Sequence, residues 1–185
     1  MGKLIYSMFV SLDGFVETSD GGLDWSTPDT QLHRFVNIQA RDLVASLYGR
    51  RLYELMVDHW PTVEDRPENP RADVDFARIW RATPKIVFSK TLEQADWGSR
   101  LIRKNAVEEV FRLKQDTEGD MDVGGPTLAA ELIRHGLVDE YRMFVFPVVL
   151  GGGTPFFPEL ETPLDLHLVE THTFDSGVVY LRYRV

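Results

Sequence analysis

Apolar positions along the chain follow two spacings. Lys3 to Val10, Leu43 to Tyr48, Pro84 to Ser89 and Asp120 to Val123 are short stretches rich in strand formers. Tyr141 to Leu150 is the longest apolar run and reads as a central strand. Helical spacing lies between them. Leu32, Phe35 and Val36 mark a helix from Pro28 to Ala40, and a short helix covers Leu52 to Val57. Val74, Ala77 and Ile79 mark one from Asp73 to Ala82. Two more are expected over Ala106 to Asp116 and Pro126 to His135. Thr27 and Pro28 suit an N-cap and a first helical position. Asn105 and Glu108 have the spacing of a capping box, and Gly136 suits the left-handed position that ends a helix. Leu166 to Thr173 and Val178 to Val185 alternate around Asp175-Ser176-Gly177 and read as an antiparallel hairpin. Trp60 to Arg71 holds three prolines and no periodicity, so it is an excursion within the pattern.

Strands alternate with helices and then strands finish the chain. That order predicts an α/β fold, a mostly parallel sheet with helices on both faces and an antiparallel C-terminal edge. At 185 residues, one domain over 1–185 is expected.

Composition narrows the chemistry. Cysteine is absent, which excludes disulfides, Cys-ligated zinc, iron–sulfur clusters and a thiol nucleophile. A net charge of −9 argues against a nucleic-acid partner. No apolar run nears the roughly 20 residues of a membrane span, and no signal core precedes the first strand, so a cytoplasmic protein without a membrane partner is expected. The five histidines form no i,i+4 pair on an expected helix, and no metal site is expected.

Two places run from strand through glycine into a helix start: Tyr48-Gly49-Arg50-Arg51 and Val123-Gly124-Gly125-Pro126-Thr127. Glycine admits close approach, and a helix N-terminus offers unpaired N–H groups, so two such turns in one parallel sheet suit the two phosphates of a dinucleotide. Each alone also fits an ordinary tight turn. Arg50 and Arg51 suit bidentate pairing with phosphate or a solvated surface pair. Ser89-Lys90-Thr91 offers a hydroxyl, an ammonium and a hydroxyl, suited to a ribose 2′-phosphate or to a plain turn. Gly151-Gly152-Gly153 suits an anion cradle or a flexible loop.

Further pieces complete an ordered set: Ser11-Leu12-Asp13-Gly14-Phe15-Val16, Gly49-Arg50-Arg51-Leu52-Tyr53-Glu54, Pro84 to Ser89, Val123 to Leu128, and Phe146 to Gly153. Together they resemble the dihydrofolate reductase fold, and more closely the C-terminal reductase domain of bacterial riboflavin biosynthesis (RibD) with its stand-alone relatives. The resemblance implies a three-layer α/β/α dihydrofolate reductase-like fold and an NADPH-dependent reductase. It places the pyrophosphate on Gly49, Arg50, Arg51 and Leu52 and on Gly124, Gly125, Pro126, Thr127 and Leu128. It places the 2′-phosphate on Ser89, Lys90 and Thr91, and the nicotinamide beside Ser11 to Val16.

The implied reaction is hydride transfer to a C=N or C=O bond of a small, pterin- or pyrimidine-like substrate. Its pocket is expected between the first loop and the first helix, lined by Trp25, Asp29, His33, Tyr53 and Phe157. Asp13 or Asp29 would orient a proton-donating water. Asp29 serves equally as an acid favouring the helix dipole. The alternatives are the 5-amino-6-(5-phosphoribosylamino)uracil reductase of riboflavin biosynthesis and a non-catalytic nucleotide-binding module. Val123 stands where the riboflavin-pathway enzymes usually carry a glutamate, which argues against that substrate. Tyr141 to Val149 and the C-terminal hairpin suit either a buried core or a homodimer.

Overall fold

The computed structural model describes residues 2–66 and 68–185. Met1 and Pro67, the latter one of the three prolines of the excursion, lie outside them. Side-chain alternation along the first strand decides how the layers stack. In β1 (Leu4–Ser11), Leu4, Tyr6 and Val10 turn to one face, and Ile5, Ser7 and Phe9 turn to the other.

The chain continues through β2 (Phe15–Glu17), α1 (Thr30–Arg41), β3 (Ala45–Gly49), α2 (Arg50–His59) and α3 (Arg71–Ala82). Then come β4 (Lys85–Phe88), β5 (Arg100–Ile102), α4 (Ala106–Asp116), β6 (Met121–Gly124) and α5 (Pro126–Arg134). It ends with β7 (Glu140–Phe146), β8 (Thr154–Pro155), β9 (His167–Thr173) and β10 (Val179–Arg184). Eight strands form one sheet in the order β5-β4-β3-β6-β1-β7-β10-β9. The first six are parallel, and β10 runs antiparallel to both neighbours.

Parallel strands need crossovers, and the helices that supply them bury both faces. On one face Val110, Leu128, Ala129 and Leu132 of α4 and α5 pack against Leu4, Tyr6 and Val123. On the other, Leu32, Phe35 and Val36 of α1 meet Phe144 and Tyr180, while Leu52, Met56 and Trp80 meet Tyr48 and Val87. This is the expected three-layer arrangement with its antiparallel C-terminal hairpin. No described helix is long and apolar enough to cross a membrane.

Local chemistry moves some boundaries. Asp29, not Thr27, caps α1: its extended backbone lets Oδ1 accept the Leu32 N–H at 2.8 Å. Asp29→Ala should therefore cost about 1 kcal/mol in a chemical denaturation series. Asn105 takes a left-handed conformation (φ 55°), and its side chain makes no capping bond. The capping box expected there does not form. The longest apolar run leaves the sheet at Phe146, because Pro147 has no N–H for the ladder.

Candidate active site

Three adjacent strands finish side by side. Gly49 pairs with Phe88 and Tyr48 with Gly124, so the turns after β4, β3 and β6 leave the same end of the sheet at a strand spacing of about 4.8 Å. Between them opens a groove of about 480 Å³. Gly49, Arg50, Arg51 and Leu52 border it, as do Ser89, Lys90 and Thr91, and Gly125, Pro126, Thr127 and Leu128. The first loop closes one side with Val16, Glu17 and Leu23. Gly124 lies just behind. A Cβ there would stand 2.5 Å from Leu52 Cδ2 and 3.0 Å from the Tyr48 ring, so glycine lets both side chains of this junction pack close against β6. Gly125 holds φ at 95°, a conformation that side-chain-bearing residues rarely adopt.

Both helices entering the groove start uncapped. Gly49 precedes α2 and Gly125 precedes α5, and neither offers a side-chain acceptor. The first turns of both helices border the groove, and a helix start offers unpaired N–H groups, here all but that of Pro126, together with the positive end of its dipole. That combination attracts anions.

The charged side chains divide. Arg50 Nη1 pairs with Glu54 at 3.3 Å on the surface. Arg51 Nη1 meets Glu17 Oε1 at 2.9 Å and also reaches the Gly21 carbonyl, tying the first loop to α2. Thr154 Oγ1 donates to the same Glu17 oxygen at 2.6 Å. Lys90 is exposed and makes no ion pair among the described residues. Ser89 Oγ accepts the N–H groups of Thr91 and Leu92, at 3.2 and 3.0 Å, and so shapes the turn. Beyond Ser89 and Lys90 a further hollow of about 450 Å³ reaches Arg103, Lys104 and the start of α4.

The expected substrate wall does not assemble. Trp25 stands edge-on to Phe146 at 5.6 Å, within the cluster that seals α1 to the sheet. His33 Nδ1 meets Asp73 Oδ1 at 2.9 Å between α1 and α3, and burial lowers its pKa. Tyr53 donates its hydroxyl to the Asp96 carbonyl at 3.1 Å, and Phe157 packs on Tyr141 at 5.2 Å. Trp25, Phe157 and the Tyr53–His33 pair are held in different parts of the packing, and none of the four borders the groove or the cavity between the sheet and α1–α3.

The two candidate acids are occupied as well. Asp29 caps α1. Asp13 accepts Ser11 Oγ at 2.7 Å and the N–H groups of Leu150 and Gly151 at 3.1 and 2.7 Å. The Ser11 bond first, and the two backbone bonds with it, hold its carboxyl below the usual range. Asp13 therefore staples the first loop to the glycine-rich loop, and the anion cradled there is the protein's own.

Sequence reasoning overlooked a smaller cavity of about 180 Å³ between the sheet and α1, α2 and α3. It is bordered by Asp122, a carboxyl inside a strand. The available signal was alternation: Met121 and Val123 are both buried on the α5 side, which sends Asp122 to the opposite face. Among the described residues no group of three His, Asp or Glu could hold a metal ion.

A mostly parallel sheet covered on both faces and closed by an antiparallel hairpin defines a dihydrofolate reductase-like fold. A dihydrofolate reductase from Enterococcus faecalis, solved with NADP(H), matches with a TM-score of 0.62 at 19% identity, over 98% of this chain and 95% of that one. The chain belongs to the RibD C-terminal domain family, whose model matches residues 2–180. A protein from Shewanella sp. PV-4, provisionally assigned to riboflavin biosynthesis, matches with a TM-score of 0.73 at 21% identity, over 100% of this chain and 98% of that one. The uncharacterized protein YyaP of Bacillus subtilis (strain 168) is 35% identical over 184 residues, 98% of this chain and 94% of its own. The family and the fold are associated with reductases.

Proposed function

We propose that this protein is an NADPH-dependent reductase that transfers hydride to a C=N or C=O bond of a small substrate. One observation carries the reading: two uncapped helix N-termini, from adjacent parallel strands, open on one groove. Such a pair fits a pyrophosphate, one phosphate per helix end. In Enterococcus faecalis dihydrofolate reductase the same fold is found with NADP(H).

The residues fit the cofactor as follows. The N–H groups of the first turns of α2 and α5 hold the pyrophosphate, with Gly124 and Gly125 permitting its approach. Lys90 and Thr91 meet the 2′-phosphate, and the hollow toward Lys104 receives the adenosine end. Arg51 and Glu17 hold the first loop over the other end of the groove, where the nicotinamide lies beside Val16. Bound NADPH supplies the hydride. The protein orients the ring and keeps water away from it. Asp13 acts here by fixing the loop. A pyrimidine reductase of riboflavin biosynthesis is the second reading, favoured by family membership, with Val123 standing against it.

Lys90 decides the choice of cofactor. Lys90→Ala should weaken NADPH about tenfold and leave NADH nearly unchanged, because one charge-assisted contact to the 2′-phosphate is lost. Titration followed by nicotinamide fluorescence measures both. Equal losses for the two nucleotides would move Lys90 away from the 2′-phosphate. If wild-type protein binds no NADPH below about 1 mM, the reading fails.

A further inference from the structure

The two edges of the eight-stranded sheet are finished differently. β5 is three residues long, too short to recruit another strand. β9 is seven residues long, and all of them but Glu170 are exposed. It carries neither lysine nor proline, two residues that commonly guard an edge, and its pairing is irregular at one place only, beside Arg182 and Tyr183. Phe174 donates its N–H to the Val178 carbonyl at 2.9 Å, so bonded pairs alternate along the hairpin. His172 and Glu170 bond inward to Tyr180 and Arg182, and the N–H and C=O groups of Thr171 and Thr173 turn to the open edge.

Apolar side chains flank this edge on both faces of the sheet. On the α1 side Ile38, 60% exposed, borders a shallow hollow of about 420 Å³ with Phe35, His172 and Phe174. On the other side Leu168 is 55% exposed, and Tyr183, its cross-strand partner, packs toward the α4 and α5 layer. His172 lies flat on Phe35 at 5.6 Å, and Glu170 meets Arg182 Nη2 at 3.2 Å. An open edge of this length, with apolar flanks, is a template for another strand.

We propose that this edge is the interface with a second copy of the chain, the two β9 strands pairing antiparallel about a two-fold axis at Thr171. Charge selects that register. A two-fold axis through an antiparallel pair sets one residue opposite itself. Centring on Glu170 would oppose two carboxylates, and centring on His172 would set Glu170 against the Phe174 ring of the second copy. Centring on Thr171 sets Glu170 opposite His172 of the second copy, and His172 opposite its Glu170. The Thr171 residues of the two copies then exchange their outward hydrogen bonds, and Thr173 turns its own toward Val169 of the second copy. Two sheets join into one, and Ile38 and Leu168 add apolar surface toward the roughly 800 Å² per partner of a stable interface. Three strands separate β9 from β6, so the cofactor groove of each copy stays open.

Sedimentation velocity tests the interface. Wild-type protein at about 20 μM should sediment with twice the chain mass of 21.2 kDa. Thr171→Pro removes an N–H that β10 does not use, so the circular dichroism should be kept while the dimer weakens at least about tenfold. His172→Glu opposes carboxylates on either side of the axis and should weaken it too, less so in high salt. A wild-type monomer at about 200 μM would overturn the proposal, as would a dimer that neither substitution weakens. Amide exchange on wild-type protein needs no variant: Thr171 and Thr173 should be protected in the dimer and lose protection on dilution. Fast exchange at both residues while the protein sediments as a dimer would put the interface elsewhere and refute the assignment.

Discussion

Glu140→Ala is expected to destabilise the protein by about 3–5 kcal/mol at neutral pH. Glu140 is fully buried at the start of β7. It accepts Arg142 Nε at 2.7 Å through Oε1 and Arg184 Nε at 2.9 Å through Oε2. Burial raises its pKa, but the bonds from Arg184 and Arg142 outweigh that and hold it below the usual range. Removing the carboxylate leaves the Arg142 side chain, only 12% exposed, without its counter-charge. A depressed acid contributes stability above its unfolded pKa and loses it as pH falls through the folded one. The penalty of the variant should therefore shrink in acid. Urea denaturation at neutral and acid pH measures it, and a loss under about 1 kcal/mol at neutral pH would mean the network contributes little.

Asp122→Asn should act in the opposite direction. The folded-state pKa of Asp122 is raised from 3.8 to about 6. A raised acid binds its proton more tightly when folded, so stability is full below the unfolded pKa and declines as pH rises through the folded one. Some two units correspond to about 3 kcal/mol at most. Ser46, Tyr48 and Arg142 border the same cavity as the carboxyl. The variant should gain about 2–3 kcal/mol at mildly alkaline pH and almost nothing near pH 4. A gain independent of pH would contradict the buried charge. A carboxyl that lowers stability where an amide would not is a common mark of a binding site.

The strands and helices that span the sheet were legible because burial on one face or both imposes a period, as in Lys3 to Val10 and Ala106 to Asp116. The strands β2, β5 and β8 were not, since two or three residues carry no period and form only when a partner is in place. Asn105 had the right spacing for a cap, but its backbone conformation turned the side chain away. The groove was legible from its glycines, because a strand–glycine–helix junction fixes local geometry on its own. The acceptor side was not. Packing between elements distant in sequence draws Trp25, Tyr53 and Phe157 into three clusters and sets His33 against Trp60 and Phe76 at the edge of the Tyr53 cluster. Asp122 becomes conspicuous only once the register puts it opposite Ser46, with Arg142 already bound to Glu140.

The central claim is that two helix ends grip one pyrophosphate, and amide hydrogen exchange on wild-type protein tests it most directly. With saturating NADPH, exchange should slow together at Arg50 to Leu52 and at Gly125, Thr127 and Leu128, and stay unchanged in the hairpin of β9 and β10. Slowing at one turn alone, or at neither, would contradict the account.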